Sequence, residues 1–383
     1  MEPVRFGVIG IADVELGYPD VIYNTPNAKL IAVCDIRKDL VEGCKEKYKV
    51  DGYLDYKEML KREDIEAVYI ALPHYLHFPV SIEALSRGKH VLVEKPIART
   101  VKEAYQMIEI AKTKNLFLAV GFQARGLKFH SKVKEILEKD EIGFPIRFIL
   151  EDVKFRTNKY FSKSWRGSWE LSGGGCVINQ MVHYFDLIYW YFGKPSYVYG
   201  KIRNLFHNVS IDTMVNGIIG FENGTEGVVS LSITDCPHSF FLEIRGTKGN
   251  IIQKVNLCQD NPNREIKRTE ILKFLNPIYE WIRNCDKGMK EVPYIRNVYE
   301  QEDVEFKNRD VLLEKFIKAI RGIDKPLVSG EEAIYSLEIS NAFVLSSIKN
   351  KPVEIPVDRE EYDEVLNKLV KGEIKILGIK KGI

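Results

Sequence analysis

The sequence predicts an α/β N-terminal domain with a doubly wound parallel sheet, followed by an α+β domain with a mostly antiparallel sheet. In the first third of the chain, short apolar runs alternate with helical patterns, as in repeated strand–helix–strand units. After about residue 125, strand-like runs follow one another across short turns, which is typical of an antiparallel sheet. The 383 residues also exceed one ordinary core, so we expect two domains, over residues 1–125 and 126–383.

Five short apolar runs are the candidate strands of the first domain, at residues 4–9, 30–34, 67–72, 90–93 and 116–120. The clearest helix between them begins at Thr100, because Thr100 and Glu103 have the spacing of a capping box. Another helix is expected to end just before Gly88, since glycine often follows the last helical turn. This order predicts right-handed crossovers and a sheet that is covered on both faces.

Strand-like runs dominate the second domain, at residues 146–155, 197–205, 217–221, 227–233, 240–244 and 250–252. Asn223 and Gly224 form a hairpin signal between two of these runs, and a further turn is expected at 246–249. Three helices are predicted, at residues 176–192, 311–321 and 331–347. The pattern over 259–310 is mixed and charged, and no element is assigned there.

Composition and charge exclude several classes of protein. The chain is 45% hydrophobic and 29% charged, with a net charge of +2, so it has no broad basic surface for nucleic acid. Its six cysteines are scattered and form no C-x-x-C pair, which favours free thiols in a reducing compartment. No apolar run approaches the roughly 20 residues of a membrane helix, and no leader precedes the first strand. We therefore expect a cytoplasmic protein that binds a small molecule, without a nucleic-acid or membrane partner.

The turn after the first strand carries part of the glycine fingerprint that binds the pyrophosphate of a dinucleotide. Gly10 stands at the first glycine position and Ala12 at the second, whereas Glu15 replaces the third small residue. Such a turn offers backbone N–H groups to an anion where the next helix begins. Pro19, however, is unfavourable for an uninterrupted first helix. By itself this turn is a weak signal for a dinucleotide.

Asp35 strengthens the dinucleotide interpretation. It follows the second strand, where a carboxylate accepts hydrogen bonds from the ribose hydroxyls and repels a 2′-phosphate. This favours NAD, although Arg37 and Lys38 follow directly and could accommodate NADP. The alternative for Asp35 is an ordinary turn residue. Together with Gly10, it predicts a Rossmann domain that binds NAD.

Further residues that could carry chemistry lie at the end of a strand and on a helix. Lys95 lies at the carboxyl tip of a buried strand, and Pro96 disfavours the helical conformation at Lys95. Asn179 and His183 are four residues apart on a predicted helix, so their side chains are expected on one face. Asp186 can share that face.

From about residue 4 to residue 356, the sequence resembles the glucose–fructose oxidoreductase/inositol dehydrogenase/rhizopine-catabolism (Gfo/Idh/MocA) oxidoreductases. The motifs that carry the resemblance are Glu94-Lys95-Pro96, Trp165-Arg166-Gly167, Gly173-Gly174-Gly175 with the residues that follow it to Asp186, and Gly246-Thr247-Lys248-Gly249. Two residues depart from the family pattern. Asn179 stands where the family often has aspartate, as in members that look like sugar-nucleotide dehydrogenases, and Met181 replaces a common glycine.

The resemblance implies a large, open second sheet, a nicotinamide ring between the domains, and catalytic roles for Lys95 and His183. It also implies an NAD(P)-dependent dehydrogenase acting on a sugar, sugar nucleotide or cyclitol, and a homo-oligomer, a dimer or a tetramer. The residues expected to bind the cofactor are Gly10, Ala12, Asp35, Arg37, Leu72, Pro73, His77, Glu94 and Lys95. The residues expected to contact the substrate are Gln123, Arg125, Tyr160, Trp165, Arg166, Asn179 and His183.

These residue types suit the oxidation of an alcohol. The reaction needs a base for the hydroxyl proton and a positive group beside the developing alkoxide. A neutral imidazole suits the first task at cellular pH, and a lysine ammonium suits the second. The roles of Lys95 and His183 could be exchanged.

Other interpretations stay open at this stage. The chain could be a glycosidase that retains its NAD and acts by transient oxidation and elimination, or a non-catalytic regulator. Gln123 and Arg125 could form an ordinary linker, and Arg166 could brace its loop or bind a carboxylate or phosphate. His74 and His77 are three residues apart, but no carboxylate or thiol lies near them in sequence, so no metal site is predicted.

Overall fold

The computed structural model describes residues 2–11, 18–162, 165–257, 265–284, 292–302, 309–376 and 378. The chain divides into two compact units. Unit 1 comprises residues 1–126, 170–173 and 306–337, and unit 2 comprises residues 127–169, 174–305 and 338–383. The chain thus returns to unit 1 late in the sequence before it ends in unit 2.

The described helices, in chain order, are α1 (Tyr18–Asn24), α2 (Lys38–Tyr48), α3 (Tyr56–Leu60), α4 (His74–Ser86), α5 (Val101–Thr113), α6 (Lys128–Glu138), α7 (Trp169–Ser172), α8 (Val182–Phe192), α9 (Ile278–Asn284), α10 (Arg309–Ile320), α11 (Gly330–Lys349) and α12 (Arg359–Val370). None of the helices in the described ranges combines the length and the hydrophobicity that crossing a bilayer requires. The four described cysteines are free thiols, while Cys258 and Cys285 lie outside the described residues.

Unit 1 is built on a six-stranded sheet whose strands all pair in parallel. Its strands are β1 (Val4–Ile9), β2 (Ala28–Cys34), β3 (Asp51–Tyr53), β4 (Ala67–Ile70), β5 (His90–Val93) and β6 (Leu118–Val120). Their order is β3-β2-β1-β4-β5-β6. The order reverses between β1 and β4, and in such sheets ligands bind outside the carboxyl ends of the strands at this switch point.

The core of unit 1 joins the sheet to a helix from late in the sequence. Phe6 and Val8 of β1 are buried together with Leu312 and Phe316 of α10. The rings of Phe6 and Phe316 lie 6.3 Å apart. The predicted helix at 311–321 is therefore α10, and it packs on the first sheet.

Unit 2 is built on a nine-stranded sheet. Its strands are β7 (Pro145–Phe155), β8 (Pro195–Arg203), β9 (Met214–Phe221), β10 (Glu226–Ser232), β11 (Thr234–Gly246), β12 (Gly249–Leu257), β13 (Glu265–Phe274), β14 (Tyr294–Glu302) and β15 (Val353–Glu354). They follow the order β14-β13-β12-β11-β7-β10-β9-β8-β15. Only β7 and β10 pair in parallel among the described strands of this sheet. The expected fold class is confirmed.

One face of the second sheet is covered by helices. Phe185 of α8 stacks on Phe343 of α11, with ring centroids 5.6 Å apart. Gly200 and Gly217 lie under Phe343, and a Cβ at either position would collide with its ring. These two glycines therefore allow α11 to approach the sheet closely.

Local signals in the sequence located several element ends correctly. Thr100 caps α5, because its side chain accepts a hydrogen bond from the Glu103 amide. Gly88 adopts a φ of 77° just after α4, and Gly224 adopts 91° in the hairpin between β9 and β10. In these places the residue type and its immediate neighbours determine the backbone.

The structure differs from the sequence-based expectations in three places. The helix predicted over 176–192 is a π-helical turn, Cys176–Gln180, followed after Met181 by α8. Asn179 and His183 therefore do not lie on one regular α-helix, and the spacing argument for their shared face does not hold. The unassigned stretch contains α9 and the strands β13 and β14, and these two strands extend the second sheet. A third difference is that Pro19 lies in the first turn of α1, where its missing N–H is tolerated.

Candidate active site

A cavity of about 360 Å³ opens at the carboxyl ends of β1, β2 and β4 in unit 1. Predicted cofactor residues that line it are Gly10, Asp35, Arg37, Leu72 and Pro73. Other residues that line it include Leu54 and Tyr56, which the sequence had not pointed to. Most of the lining is apolar, which suits a flat, aromatic ligand group such as a nucleotide base.

Gly10 shapes the wall of this cavity. Its φ of 91° is one that side-chain-bearing residues rarely adopt, and a Cβ there would collide with the Ala71 carbonyl group. Its amide donates a hydrogen bond of 2.9 Å to the Cys34 carbonyl oxygen. Only glycine allows the backbone of β1 to turn this closely against the end of β4.

Asp35 lies at the edge of the cavity and is largely buried. Its carboxylate oxygens accept hydrogen bonds of 2.9 Å from the amides of Ile11 and Arg37. The Arg37 guanidinium turns to Asp39, with a nitrogen–oxygen distance of 2.6 Å. The carboxylate is thus fixed by the backbone, while the nearby positive charge is paired with another acid.

Lys95 follows β5, and its neighbour Glu94 is held in place by a tyrosine from β4. The Tyr69 hydroxyl donates a hydrogen bond of 2.8 Å to Glu94, which also accepts the Lys95 amide at 3.3 Å. Burial and the Glu94 charge raise the pKa of Tyr69 well above its usual value, so the hydroxyl stays protonated and donates. Gly121 faces Glu94, and a Cβ there would lie only 3.1 Å from the carboxyl carbon.

His77 holds the other side of the same loop. Its Nδ1 lies 2.7 Å from the Pro96 carbonyl oxygen, and its Nε2 lies 2.8 Å from the Leu72 carbonyl oxygen. The ring is completely buried, and this burial lowers its pKa although the two carbonyl groups oppose the shift. A neutral ring donates its single N–H to one of these oxygens, and His77 is packed between the loop around Lys95 and the segment that lines the cavity at Leu72.

Two predicted substrate residues lie in a short 3₁₀ turn, Gln123–Gly126, after β6. Gln123 Oε1 is buried and has no hydrogen-bond partner within the described part of the chain. Arg125 is buried as well, and its guanidinium pairs with Glu332 at 3.0 Å. Gln123 thus has an unused acceptor, whereas Arg125 makes a strong contact inside unit 1.

In unit 2, Asn179 occupies the π-helical turn that precedes His183. The side-chain amide groups of Asn179 and Gln180 donate to the Tyr160 hydroxyl oxygen, from Nδ2 at 3.1 Å and from Nε2 at 2.6 Å. Tyr184, beside His183, donates a hydrogen bond of 2.7 Å to the buried Asp152 carboxylate. The structure therefore joins Tyr160 and Asn179, two residues that the sequence proposed separately.

The Trp165-Arg166 pair lies against the same tyrosine. The Arg166 guanidinium carbon is 4.8 Å from the centroid of the Tyr160 ring and 5.3 Å from that of Trp165. Arg156 lies over the Tyr160 ring as well, at 5.6 Å. Cation–π contacts of this kind order the arginine side chains and concentrate positive charge around Tyr160.

Residues 4–122 match a model described as an oxidoreductase family with an NAD-binding Rossmann fold. Residues 130–252 match the model of the GFO/IDH/MocA C-terminal domain. The chain belongs to the Gfo/Idh/MocA oxidoreductase family. This confirms the resemblance found in the sequence, and the Gfo/Idh/MocA chain is thus an oxidoreductase with an NAD-binding Rossmann domain.

Similar proteins include several dehydrogenases. The myo-inositol 2-dehydrogenase of Thermotoga maritima is 24% identical over 368 residues, covering 92% of this chain and 98% of that protein. The levoglucosan dehydrogenase of Pseudarthrobacter phenanthrenivorans is 25% identical over 338 residues, covering 79% and 83%. The crystal structure of the WlbA dehydrogenase from Bordetella pertussis, in complex with NADH and UDP-GlcNAcA, has a TM-score of 0.76 at 21% identity, covering 93% of this chain and 100% of that one.

Sequence analysis of this Gfo/Idh/MocA member missed residues that act through others. In the sequence, Tyr69 looks like another apolar residue of β4. In the structure, its hydroxyl donates a hydrogen bond to Glu94, the neighbour of Lys95. A polar group near the end of an otherwise apolar strand is the signal that could have identified it. Ala12, a predicted cofactor residue, lies outside the described residues. His74 lies 2.8 Å from the Ser172 carbonyl oxygen through Nδ1, and the described residues contain no cluster suited to a metal ion.

Proposed function

We propose that this protein is an NAD-dependent dehydrogenase that acts on a secondary hydroxyl group of a sugar, sugar nucleotide or cyclitol. Lys95 and His183 are its proposed catalytic residues. The observation that carries the proposal is the attachment of the Lys95 loop to the segment that lines the dinucleotide cavity. That attachment involves both neighbours of Lys95.

On one side, Glu94 is bound by Tyr69, which belongs to β4. On the other side, the buried His77 ring lies between the Pro96 and Leu72 carbonyl oxygens, and a neutral ring donates its single N–H to one of them. Both tethers come from β4 and from α4, which follows it. A catalytic group must be held to within about 1 Å of its productive position, and two buried tethers favour such precision.

The residues around the cavity fit NAD. Gly10 leaves room for a close approach of the pyrophosphate, and the apolar lining suits the adenine. The fixed Asp35 carboxylate provides an acceptor for the ribose hydroxyls and repels a 2′-phosphate. Because Arg37 is paired with Asp39, it favours NADP less than an unpaired arginine would. We therefore propose NAD rather than NADP as the preferred cofactor.

Bound NAD supplies the hydride acceptor. The Lys95 ammonium stabilises the negative charge that develops on the substrate oxygen. The His183 imidazole accepts the hydroxyl proton, a task suited to a side chain whose ordinary pKa is near 6.5. The reverse assignment of the two roles uses the same residues and differs only in which one holds the proton.

Several polar groups are proposed to orient the substrate. Gln123 offers a buried acceptor without a partner among the described residues, which suits a sugar hydroxyl. Asn179 cannot act as a base, but its amide, held by Tyr160, can bind a hydroxyl group. Arg166 is proposed to bind a carboxylate or phosphate if the substrate carries one.

We also propose that the protein is a homo-oligomer in the cytoplasm. Tyr199, Ile218, Val228 and Ile149 form one row across β8, β9, β10 and β7 on the sheet face opposite the helices. Tyr199 is 40% exposed and Val228 is 49% exposed. A row of apolar side chains on an open sheet favours contact with a second copy. The free thiols favour a reducing compartment.

The decisive experiment is to purify the protein, identify any retained nucleotide, and screen inositols, free sugars, UDP-sugars and glycosides with NAD and NADP. A dehydrogenase produces reduced nicotinamide in proportion to the substrate oxidised, which absorbance measures directly. An NAD-retaining glycosidase would instead release sugar without net reduction. No reaction with any of these compounds would contradict the proposed substrate class.

A further inference from the structure

We propose that Asp212 is the positioning residue for the proposed catalytic His183. Its carboxylate and its carbonyl oxygen hold the π-helical turn that leads into α8. The proposal rests on the function proposed above only for the role of His183. Its geometric part, that Asp212 determines the turn, can be tested without any substrate.

Asp212 binds three successive amides. Its Oδ1 accepts a hydrogen bond of 2.7 Å from the Gly175 amide, and its Oδ2 accepts one of 2.8 Å from the Val177 amide. The amide between them, that of Cys176, donates to the Asp212 carbonyl oxygen at 2.9 Å. Asp212 is completely buried, which raises the pKa of its carboxyl to about 6, while the amide donors oppose this shift. At neutral pH the carboxylate is ionised, so both of its oxygens can accept hydrogen bonds.

These amides are those that a helix cannot satisfy by itself. The first amides of any helix lack an acceptor within it, and a side-chain oxygen normally supplies one locally. Here the N-cap position is Gly175, which has no side chain. Asp212, which lies just before β9 in the sequence, supplies the cap from a distance. The position of the turn is thus fixed by a residue from another part of unit 2.

The glycine run allows this approach. A Cβ on Gly175 would collide with the Asp212 carbonyl oxygen, and one on Gly174 would lie 3.2 Å from Oδ1. Gly174 also has a φ of 137°, which side-chain-bearing residues rarely adopt. These two glycines therefore allow the close contact with Asp212.

The π-helical turn also determines where α8 begins. The Met181 amide binds the Cys176 carbonyl oxygen at 2.9 Å, which closes the π-helical turn, and α8 begins at the next residue. His183 is the second residue of α8. Because one closed turn connects Cys176 to the start of α8, a shift of Cys176 would also move His183. A displacement of a catalytic group by about 1 Å can lower the reaction rate roughly 100-fold.

The geometric part is tested by hydrogen exchange of the full-length protein, read by mass spectrometry on peptides that cover residues 174–181. In Asp212→Ala, we expect the amides of this segment to exchange at least about tenfold faster than in the wild type. Asp212→Asn keeps one carbonyl acceptor and should give an intermediate rate, and it serves as the folded variant if Asp212→Ala does not fold. Unchanged exchange in a folded Asp212 variant would overturn the proposal.

Ser346→Ala is the matched control. The Ser346 hydroxyl accepts a hydrogen bond of 3.0 Å from the Gly200 amide, in the same unit, so its removal also leaves a buried amide without its acceptor. A general loss of stability would increase exchange at residues 174–181 in both variants. Equal effects of Ser346→Ala and Asp212→Asn on that segment would therefore count against a specific role for Asp212.

The effect on His183 is read by NMR titration of protein labelled with ¹⁵N-histidine, in which His183→Ala identifies the His183 signal. In Asp212→Asn we expect the His183 signal or its titration midpoint to move, while Ser346→Ala leaves both unchanged. An unmoved His183 signal would overturn its positioning by Asp212. This readout is independent of the substrate screen.

Turnover separates this proposal from the proposed function. With a substrate found in the screen, kcat per NADH-binding site should fall about 10- to 100-fold in Asp212→Asn, while the Kd of NADH stays unchanged. An unchanged kcat per site would overturn the positioning role and leave the dehydrogenase intact. If the wild type oxidises none of the compounds, the proposed function fails, and the exchange and NMR results still decide on Asp212.

Discussion

The carboxylate of Asp35 accepts a hydrogen bond of 2.9 Å from the backbone amide of Ile11 and so joins the end of β2 to the turn after β1. Its other oxygen accepts the Arg37 amide, also at 2.9 Å. The backbone thus orients the carboxylate at the edge of the cavity before any ligand binds. Each oxygen keeps a further lone pair for a ribose hydroxyl.

Replacement of Asp35 by alanine should weaken NADH binding. The loss of one hydrogen bond to a charged group costs about 1.5–3 kcal/mol, so the Kd of NADH is expected to rise by at least roughly 10- to 100-fold. The measurement is titration of NADH fluorescence. Asp39→Ala is the matched control, since it removes an exposed carboxylate that pairs only with Arg37 among the described residues. Asp39→Ala should leave the Kd of NADH within about twofold and should strengthen binding of NADPH. Equal weakening in both variants would contradict the role of Asp35.

Gly10→Ala should impair both folding and nucleotide binding. The methyl group would meet the Ala71 carbonyl oxygen, and the positive φ adds a cost of about 1 kcal/mol or more. The expected results are a lower melting temperature and a weaker NADH titration. Gly43→Ala is the control, because nothing lies within 4 Å of its Cβ and its position inside α2 favours alanine. A Gly10→Ala protein as stable as the wild type would show that this backbone is less constrained than the structure indicates.

Lys95→Ala and His183→Ala should each abolish most turnover and spare nucleotide binding. The removal of a proton-transfer or charge-stabilising group typically costs about 10²–10⁴ in rate. Turnover is followed by nicotinamide absorbance, and binding by NADH fluorescence. Lys112→Ala, which removes a lysine on the exposed face of α5, should retain full turnover. Undiminished turnover of either active-site variant would rule out the catalytic assignment of that residue.

His130 should lower the free energy of unfolding as the pH falls below about 6.5. Burial lowers the pKa of His130 to about 3, so between these pH values the unfolded chain binds one more proton than the folded one. One such group contributes a slope of about 1.4 kcal/mol per pH unit. His130→Phe, beside Phe129 and Phe240, should reduce the slope of the unfolding free energy between pH 6 and pH 5 by about that amount, as measured in urea. The raised pKa values of Asp212 and Glu338 have the opposite effect and stabilise the folded protein as the pH falls. The test therefore compares the slope of the wild type with the slope of His130→Phe. Identical slopes would contradict the prediction.

Val228→Glu should disrupt the proposed homo-oligomer. The substitution places a charge in the centre of the apolar row, where a second copy would have to bury it. Light scattering should report a multimer for the wild type and a monomer for the variant. Val370→Glu, at an exposed valine of α12 that is not part of this sheet, should leave the mass unchanged. A monomeric wild type would refute the proposal itself.

Much of the fold could be predicted because it depends on short-range patterns. The strands β1 and β5 match their predicted bounds, since apolar runs of this length and composition form strands wherever they are buried. Thr100 and Gly224 determine their own backbone through a local cap and a local turn. The stretch over 259–310 could not be assigned, because β13 and β14 pair with each other over a long connection and carry few buried side chains.

The candidate site divides in the same way. The sequence alone identified Gly10 and Asp35, because a glycine turn and an acid after the next strand occur at a recognisable spacing. It did not identify Tyr69, and it named His77 as a cofactor residue rather than as a residue that holds the Lys95 loop, because their partners are 25 and 19 residues away along the chain. These contacts form only when neighbouring strands bring their ends together.

By itself, then, the sequence determined the two kinds of sheet, the local caps and turns, and the chemical groups available for catalysis. The tertiary structure alone decided that residues 176–180 form a π-helical turn instead of the first turn of α8. The carboxylate that accepts hydrogen bonds from the backbone amides of Gly175 and Val177 is that of Asp212, which lies 37 and 35 residues away from them along the chain. Local sequence patterns reflect interactions between residues that are close together in the chain. A buried carboxylate that caps a distant helix is determined by the packing of the whole unit.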